Sequence, residues 1–252
     1  MDYNKVQAMV LSTKSIVDSY NHDDYKLKGA ADFVTTIDVA ISSYLKEELG
    51  KIAPEVGFFS EEEPGSLKNN CWILDPIDGT TNLVYGYNMS SVSLAHYKDG
   101  EIVFGIVYNP FSGDVFSAIK GQGAYLNGTK RMSVSDRDIN HAIIEFGAGS
   151  THKEYADSNF HLALDVFKDC IDIRRICSTA LSLCFIADGR IDGYFEKILK
   201  PWDVAAGSLI IEESGGKLTD FCGNDIKYEG VTSVVAGNVP VHSYLVTKTS
   251  AY

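Results

Sequence analysis

Apolar residues recur at helical spacing in two stretches near the start of the chain. The first stretch predicts an amphipathic helix that ends at the polar segment "NHDDYKLKG", and the second predicts a helix over residues 36–50. The positions that form these apolar faces are Val6, Met9, Val10, Thr13, Ile16, Val17 and Tyr20 in the first helix, and Ile37, Ile41, Tyr44, Leu45 and Leu49 in the second.

The pattern beyond these helices is typical of short strands. "VGFF" and "CWILD" predict two strands, and the segment 90–117 is β-rich, with "KDGE" as a hairpin turn. Past about residue 140, predicted strands at "AIIEFG", "IDIRRI", "IDGYFE" and "VTSVVAG" alternate with predicted helices over 153–169, 179–187, 202–214 and 239–247. This change of rhythm predicts an α+β half over residues 1–140 and an α/β half over 141–252, without a flexible linker.

Composition and charge limit the class of protein. The 252 residues, 45% hydrophobic and 22% charged, suit a soluble globular protein with a sizeable core. A net charge of -12 disfavours a nucleic-acid binder, and bound divalent cations would offset part of it. The N-terminus lacks the features of a signal peptide, and the five cysteines form no CxxC pair. We therefore expect a reduced, cytoplasmic protein without a membrane span.

Several familiar catalytic motifs are missing from the sequence. It has no GxxxxGK[ST] phosphate loop, no dinucleotide-binding glycine fingerprint, no GxSxG nucleophile turn and no HExxH zinc motif. Any chemistry therefore rests on carboxylates.

The segment "DPIDGTTN" places two carboxylates at the end of an apolar strand. Asp75 closes the strand, and Asp78 precedes Gly79, which can adopt the positive φ of a tight turn. Carboxylate oxygens suit Mg²⁺ or Mn²⁺, and a helix starting at Thr80 or Thr81 would offer free N–H groups to a phosphate. The alternative is an acidic turn with a threonine helix cap. The segment alone leaves both interpretations open.

Two further acidic segments also lie at the ends of apolar elements. "GFFSEEEP" carries Glu61, Glu62 and Glu63, although an acidic run is usually a solvated loop. "KPWDVAAGSLIIEESGG" places Asp203 in the first turn of a predicted helix, where the helix dipole alone would favour it. A site can form where such ends meet.

These segments resemble the motifs of the inositol monophosphatase family of metal-dependent, lithium-sensitive sugar phosphatases. "FFSEEE", "WILDPIDGTTNL" and "PWDVAAG…EESGG" occur in the family's order and spacing, with "ADFVTTID" before them and "STALSLCFIADGRIDGYFE" before the last. The similarity extends over nearly the whole chain. "GTTN" is closer to the inositol phosphatase branch than to the adenosine bisphosphate or histidinol phosphate branches.

The resemblance implies a set of metal ligands. Asp75 would bridge two metal ions, with Glu61 and the backbone carbonyl of Ile77 completing the first site. Asp78 and Asp203 would complete the second site. The ions implied are Mg²⁺, roughly two or three per subunit, with Mn²⁺ as a substitute.

It also implies the catalytic and substrate-binding residues. Thr80, with Glu61, would orient and activate the attacking water, and Asp38 would hydrogen-bond Thr80. Gly79 and Thr80 would hold the phosphate through their N–H groups, and Glu62 would support the site. The residues implied to contact the substrate are Asp78, Gly79, Thr80, Ser178, Thr179, Ala180, Glu196 and Asp203.

The sequence departs from the family pattern at a few positions. Ser60 replaces the usual glycine before the glutamates, and Ser178 stands where a glycine is common, which would narrow the sugar pocket or add a hydroxyl. "YGYNMSS" differs from the usual loop after the aspartate motif. Lys28 lies one residue closer to "ADFVTTID" than the family lysine, so no role is assigned to it.

The fold implied by the resemblance is a layered αβαβα sandwich with two subdomains and the site between them, in a cytoplasmic homodimer. The implied activity is hydrolysis of myo-inositol monophosphate to inositol and phosphate by in-line attack of a metal-activated water. Fructose-1,6-bisphosphatase or dual-specificity activity is an alternative, in which Arg174 or Arg175 reaches a second phosphate. A regulatory protein partner in a transcription complex is an alternative of another class.

Overall fold

The computed structural model describes residues 1–20, 25–29, 32–63 and 65–252. The chain opens with α1 (Tyr3–Ser12) and α2 (Lys14–Asp18) rather than the single predicted helix, because a turn at Thr13, whose N–H binds the Val10 carbonyl at 3.2 Å, interrupts it. The buried Thr13 hydroxyl donates to the Val10 carbonyl at 2.6 Å, a contact that often bends helices. A hairpin of β1 (Tyr25–Gly29) and β2 (Asp32–Thr35), which the sequence pattern did not predict, leads into α3 (Thr36–Ile52).

A seven-stranded sheet follows, with strands adjacent in the order of the chain. Its first two strands are parallel and the remaining neighbours are antiparallel. The strands are β3 (Gly57–Ser60), β4 (Asn70–Asp78), β5 (Ser91–Lys98), β6 (Glu101–Tyr108), β7 (Val115–Ile119), β8 (Ala124–Leu126) and β9 (Lys130–Arg131), and α4 (Thr80–Val84) lies between β4 and β5.

A second, five-stranded sheet forms from the later strands. Its strands are β10 (Ile143–Phe146), β11 (Asp172–Arg174), β12 (Gly193–Leu199), β13 (Lys217–Thr219) and β14 (Thr232–Gly237), in the spatial order β11-β10-β12-β14-β13. The helices between and after them are α5 (Ala156–Phe167), α6 (Thr179–Ala187), α7 (Pro201–Glu213) and α8 (Val239–Thr249). Short 3₁₀ turns at Ile139–His141 and Lys153–Tyr155 precede β10 and α5, so α5 begins later than predicted.

Three apolar clusters divide the molecule into layers. One joins α1, α2 and α3 to the outer face of the seven-stranded sheet, through residues such as Ile41, Leu45 and Trp72. The second places α6 and α7 between the two sheets. The third joins α5 and α8 to the outer face of the five-stranded sheet. These layers confirm the predicted αβαβα sandwich.

The two central helices are apolar on all sides because both sheets cover them. A methyl group on Gly207 of α7 would lie 2.5 Å from Leu183 of α6, so the two helices meet without room for a side chain. Since α6 and α7 contribute to one core with strands on both sides of residue 140, the boundary placed there remains a prediction. In the part of the chain described here, no helix is both long and apolar enough to cross a membrane.

Candidate active site

A β-bulge at the end of β4 brings Asp75 and Asp78 to the same side of the sheet. Residues three apart on a regular strand point to opposite faces. Here Asp75 pairs with Ser93 and Asp78 with Ser91, so β4 uses one more residue than β5 over this interval. Both carboxylates consequently line one cavity of about 290 Å³.

Gly79 forms the turn between β4 and α4, as the sequence predicts. Its φ is +83°, and a methyl group there would lie 3.0 Å from the Met89 carbonyl oxygen and 3.1 Å from that of Cys177. Glycine is therefore favoured by both the backbone conformation and the available space. α4 begins at Thr80, so its first N–H groups lie beside Asp78 without intrahelical acceptors.

Asp78 binds the start of α6. Its Oδ1 accepts from the Thr179 N–H at 3.1 Å and its Oδ2 from the Ala180 N–H at 3.0 Å, and the Ser178 hydroxyl also donates to Oδ2. Burial raises the pKa of Asp78 to about 6, although these hydrogen bonds act in the opposite direction. Asp78 thus ties the first sheet to a helix of the later half.

Asp75 is a buried carboxylate of the cavity. It is 2% exposed, and no described residue donates a hydrogen bond to its buried Oδ1. Burial raises its pKa well above the usual range, and the nearby charges of Glu61, Asp78 and Asp203 raise it further. An ionised Asp75 is therefore costly unless a cation neutralises it.

Asp203 reaches the same cavity from the first turn of α7. Pro201 occupies the start of the helix, and the Asp203 Oδ2 accepts from the Lys200 N–H at 2.6 Å. Burial raises the pKa of Asp203 well above its usual range, with Asp78 and Glu61 adding to the effect. Asp203 therefore lies both in the first turn, where the helix dipole favours it, and in the lining of the cavity.

Thr80 and Asp38 lie close together at the edge of the site. The Thr80 hydroxyl is 2.9 Å from the Ile77 carbonyl oxygen and 3.4 Å from the Asp38 Oδ1, so its single proton favours Ile77. The Asp38 Oδ2 accepts from the backbone and hydroxyl of Thr35, which caps α3. Burial raises the pKa of Asp38 to about 6.

Glu61 follows β3 directly and lines the cavity, with its N–H bound to the Leu74 carbonyl at 3.2 Å. Glu62 lies near Asp38, since its charge raises the pKa of that carboxyl. Asp38, Glu62 and Ala180 do not line the cavity, so any role they have is exerted through neighbours. The side chain of Lys28 lies outside the described part of the structure.

The substrate side of the cavity is built on β12 and α6. The Tyr194 hydroxyl donates to the Glu196 Oε2, and the Thr179 hydroxyl lies 3.4 Å from the same oxygen. A methyl group on Gly147 would lie 1.9 Å from the Glu196 carboxyl carbon, so the carboxylate lies directly over that glycine. These contacts fix the orientation of Glu196.

The predicted metal ligands share this cavity without forming a finished coordination shell. Within residues 1–20, 25–29, 32–63 and 65–252, no three His, Cys, Asp or Glu side chains are already gathered to hold a metal ion. The donors nevertheless fit an oxygen-preferring cation. Asp75 has a buried oxygen with no described donor, and no ion pair between described residues neutralises Asp75, Asp78 or Asp203.

Sequence reasoning missed Tyr194, Glu145 and Gly147, which shape the site around the predicted Glu196. Tyr194 lies two residues before Glu196 on β12, so strand alternation contained a signal for it, whereas Glu145 lies on β10 and Gly147 follows the end of that strand. Arg175 lines the cavity, whereas Arg174 pairs with Asp172 outside it. A groove of about 580 Å³ near Lys217 contains none of the predicted site residues.

The sequence profile of the inositol monophosphatase family matches residues 3–251. The chain belongs to this family. It is 37% identical over 214 residues to the Nus factor SuhB of Escherichia coli, covering 84% of this chain and 80% of that one. It is 37% identical over 229 residues to the inositol-1-monophosphatase of Caulobacter vibrioides, covering 89% and 90%. The structure of the Thermotoga maritima IMPase superimposes with a TM-score of 0.91 at 28% identity, over 100% of this chain and 98% of that one.

Membership of this family supports a metal-dependent phosphatase activity. The names of the two relatives divide between an enzyme and a Nus factor, so the substrate has to be argued from the cavity itself.

Proposed function

We propose that this protein hydrolyses the phosphate monoester of a polyol, with myo-inositol monophosphate as the reference substrate. The observation that carries the proposal is the cavity at the end of β4, where Asp75 has a buried oxygen to which no described residue donates a hydrogen bond. Asp75, Glu61, the Ile77 carbonyl, Asp78 and Asp203 would together hold the Mg²⁺ ions.

The metal ions, when bound, supply a stronger water nucleophile near neutral pH and offset charge on the phosphoryl and leaving oxygens. The protein's own groups then position the reactants. Glu61 and the Thr80 hydroxyl orient the attacking water, and the N–H groups of Gly79 and Thr80 hold the phosphate. A bond forms between the water oxygen and phosphorus while the ester P–O bond breaks, which yields the polyol and inorganic phosphate.

Glu196 would accept hydrogen bonds from the polyol hydroxyls. The Tyr194 hydroxyl donates to its Oε2, the Thr179 hydroxyl lies 3.4 Å from the same oxygen, and the Gly149 N–H also binds this carboxylate. A carboxylate has lone pairs for more than these bonds, and Glu196 lines the cavity. Ser178 and Thr179 begin α6 at the same wall of the cavity, and the Ala180 N–H holds Asp78 in place.

A bisphosphorylated sugar is the second candidate substrate, and one observation favours it. Arg175 lines the cavity with its guanidinium 5.2 Å from the centre of the Phe146 ring. In the described part of the chain it has no carboxylate partner, whereas Arg174 is paired with Asp172. A second phosphate could bind Arg175.

A substrate panel tests the proposal directly. Phosphate release would be measured in Mg²⁺ from myo-inositol 1-phosphate, fructose 1,6-bisphosphate, glycerol 2-phosphate and phenyl phosphate. We expect the polyol phosphates to be the better substrates. Release from none of them would refute the enzymatic proposal, and a pull-down without substrate would then test the role of a protein partner. The homodimer also remains a prediction, which light scattering after gel filtration would check.

A further inference from the structure

The cavity contains a second buried glutamate on the polyol side. Glu145 lies on β10 and is 2% exposed. It pairs in register with Tyr194 of β12, so Glu145 and Glu196 point to the same face of the sheet from neighbouring strands, two positions apart. Both line the cavity.

Glu145 is held by α6 in the same way as the other acidic side chains of this wall. The Ser182 hydroxyl donates to the Glu145 Oε2 at 2.5 Å. Ser182 lies one turn after Ser178, whose hydroxyl donates to Asp78, and Thr179 approaches Glu196. Hydroxyls at the start and in the first turn of α6 thus bind Asp78 and Glu145, which come from different strands, and the Thr179 hydroxyl lies 3.4 Å from Glu196 on a third.

The other oxygen of Glu145 is available. No described residue donates a hydrogen bond to its Oε1. Unlike the Asp75 Oδ1, this oxygen is not among the fully buried atoms that lack a hydrogen-bond partner. Since the residue is otherwise buried, Oε1 is reached through the cavity. An acceptor that is oriented and open to the cavity suits a hydrogen-bond donor from the bound molecule, because an unpaired buried polar group is costly.

We propose that Glu145 is a second polyol-recognising carboxylate and determines specificity together with Glu196. The inference rests on the proposed function and adds the class of substrate: the leaving alcohol should carry two hydroxyls that donate to neighbouring acceptors. Such a site favours polyol phosphates over simple alkyl or aryl phosphates, which leave Glu145 unpaired.

The test compares myo-inositol 1-phosphate with phenyl phosphate, which has no hydroxyl on its leaving group. Glu145→Gln keeps an oxygen for Ser182 but presents an amide donor to the cavity. We expect kcat/KM for the inositol phosphate to fall by about tenfold or more, mainly through KM, as for loss of a hydrogen bond to a charged group. Phenyl phosphate hydrolysis should stay within about twofold of wild type, since no such bond is lost there.

A matched control is Glu213→Gln, which alters a glutamate that accepts from the N–H groups of Gly121 and Gly123 outside the cavity. It should leave unchanged the ratio of kcat/KM for myo-inositol 1-phosphate to kcat/KM for phenyl phosphate. Ser182→Ala, which removes the contact that orients Glu145, should lower the same ratio by a smaller factor. Equal loss on both substrates in Glu145→Gln, or no loss on either, would overturn the inference while the proposed function stands.

Calorimetry tests the role of Glu145 in polyol binding without requiring turnover. Binding of myo-inositol in the presence of inorganic phosphate and Mg²⁺ would be compared for wild type and Glu145→Gln, with thermal melts to confirm folding. Weaker binding by the variant supports the inference even if wild type hydrolyses neither ester. Equal binding by both proteins, or no binding by either, contradicts it.

Discussion

Asp75→Asn is the most informative single change, because we propose that this residue holds two metal ions. The substitution keeps the shape of the side chain and removes its charge. It also removes one good ligand oxygen, so both ions should bind poorly. The expected product is a folded, inactive protein.

The size of the effect follows from linkage. A ligand present at about 100 times its Kd stabilises the native state by about 2.7 kcal/mol. For a chain of 252 residues, each kcal/mol raises the melting temperature by about 2–4 °C, so saturating Mg²⁺ should raise that of wild type by roughly 5–10 °C. Asp75→Asn should lose most of this rise.

Without metal, Asp75→Asn should be as stable as wild type or slightly more stable. Burial and the charges of Glu61, Asp78 and Asp203 raise the pKa of Asp75 well above its usual range, so its ionised form destabilises the fold near neutral pH. The variant lacks that cost and should melt at the wild-type temperature or slightly above it.

Thermal melts of wild type and Asp75→Asn, each with chelator and with Mg²⁺, give the four melting temperatures that this comparison needs. Asp136→Asn, which alters an exposed aspartate away from the cavity, is the control and should keep the full Mg²⁺-dependent rise. If Asp75→Asn also keeps it, Asp75 does not bridge the ions and the ligand assignment is wrong.

Three further predictions concern pH and specificity. The pKa values of Asp38 and Asp78 are raised from 3.8 to about 6 in the metal-free fold, so the fold favours their protonated forms. The stability that each protonated carboxyl contributes is fully present below pH 3.8 and is lost as pH rises through about 6. Each group contributes about 3 kcal/mol to the free energy of unfolding at low pH. Chelated protein should therefore unfold at a lower denaturant concentration at pH 7.5 than at pH 5, and an unfolding midpoint that does not change with pH would refute this. Arg175→Gln should reduce turnover of fructose 1,6-bisphosphate and spare inositol phosphate, while Arg174→Gln spares both; equal losses would remove Arg175 from substrate recognition. Glu196→Gln should raise KM for polyol phosphates by about tenfold without weakening Mg²⁺ binding by calorimetry, and a matching loss of Mg²⁺ affinity would place Glu196 in the metal site.

Much of the layered fold could be predicted from the sequence, because helical and strand spacing are local properties. α6 begins and ends at the predicted residues, and the predicted turn at Gly79 has the positive φ that its neighbours require. The break at Thr13 was missed, since the apolar spacing continues through it and the turn depends on hydrogen bonds from Thr13 to the Val10 carbonyl.

The site was harder to predict from local signals. Strand alternation alone would place Asp75 and Asp78 on opposite faces, and the bulge that corrects this depends on pairing with β5. The clamp of Asp78 on α6 joins residues 100 positions apart, which spacing does not show. The sequence pattern indicated only that Glu145 lies in an apolar strand. Its hydrogen-bond partner Ser182 lies on a helix that the pattern predicts to be buried, so nothing local pointed to the pair.

The decisive measurement is phosphate release from myo-inositol 1-phosphate by metal-stripped protein, before and after addition of Mg²⁺. If the carboxylates of this cavity hold catalytic metal ions, we expect no release in excess chelator, release on addition of Mg²⁺, and inhibition by Li⁺ in the millimolar range. Undiminished release in excess chelator, or none at any Mg²⁺ concentration, would contradict it.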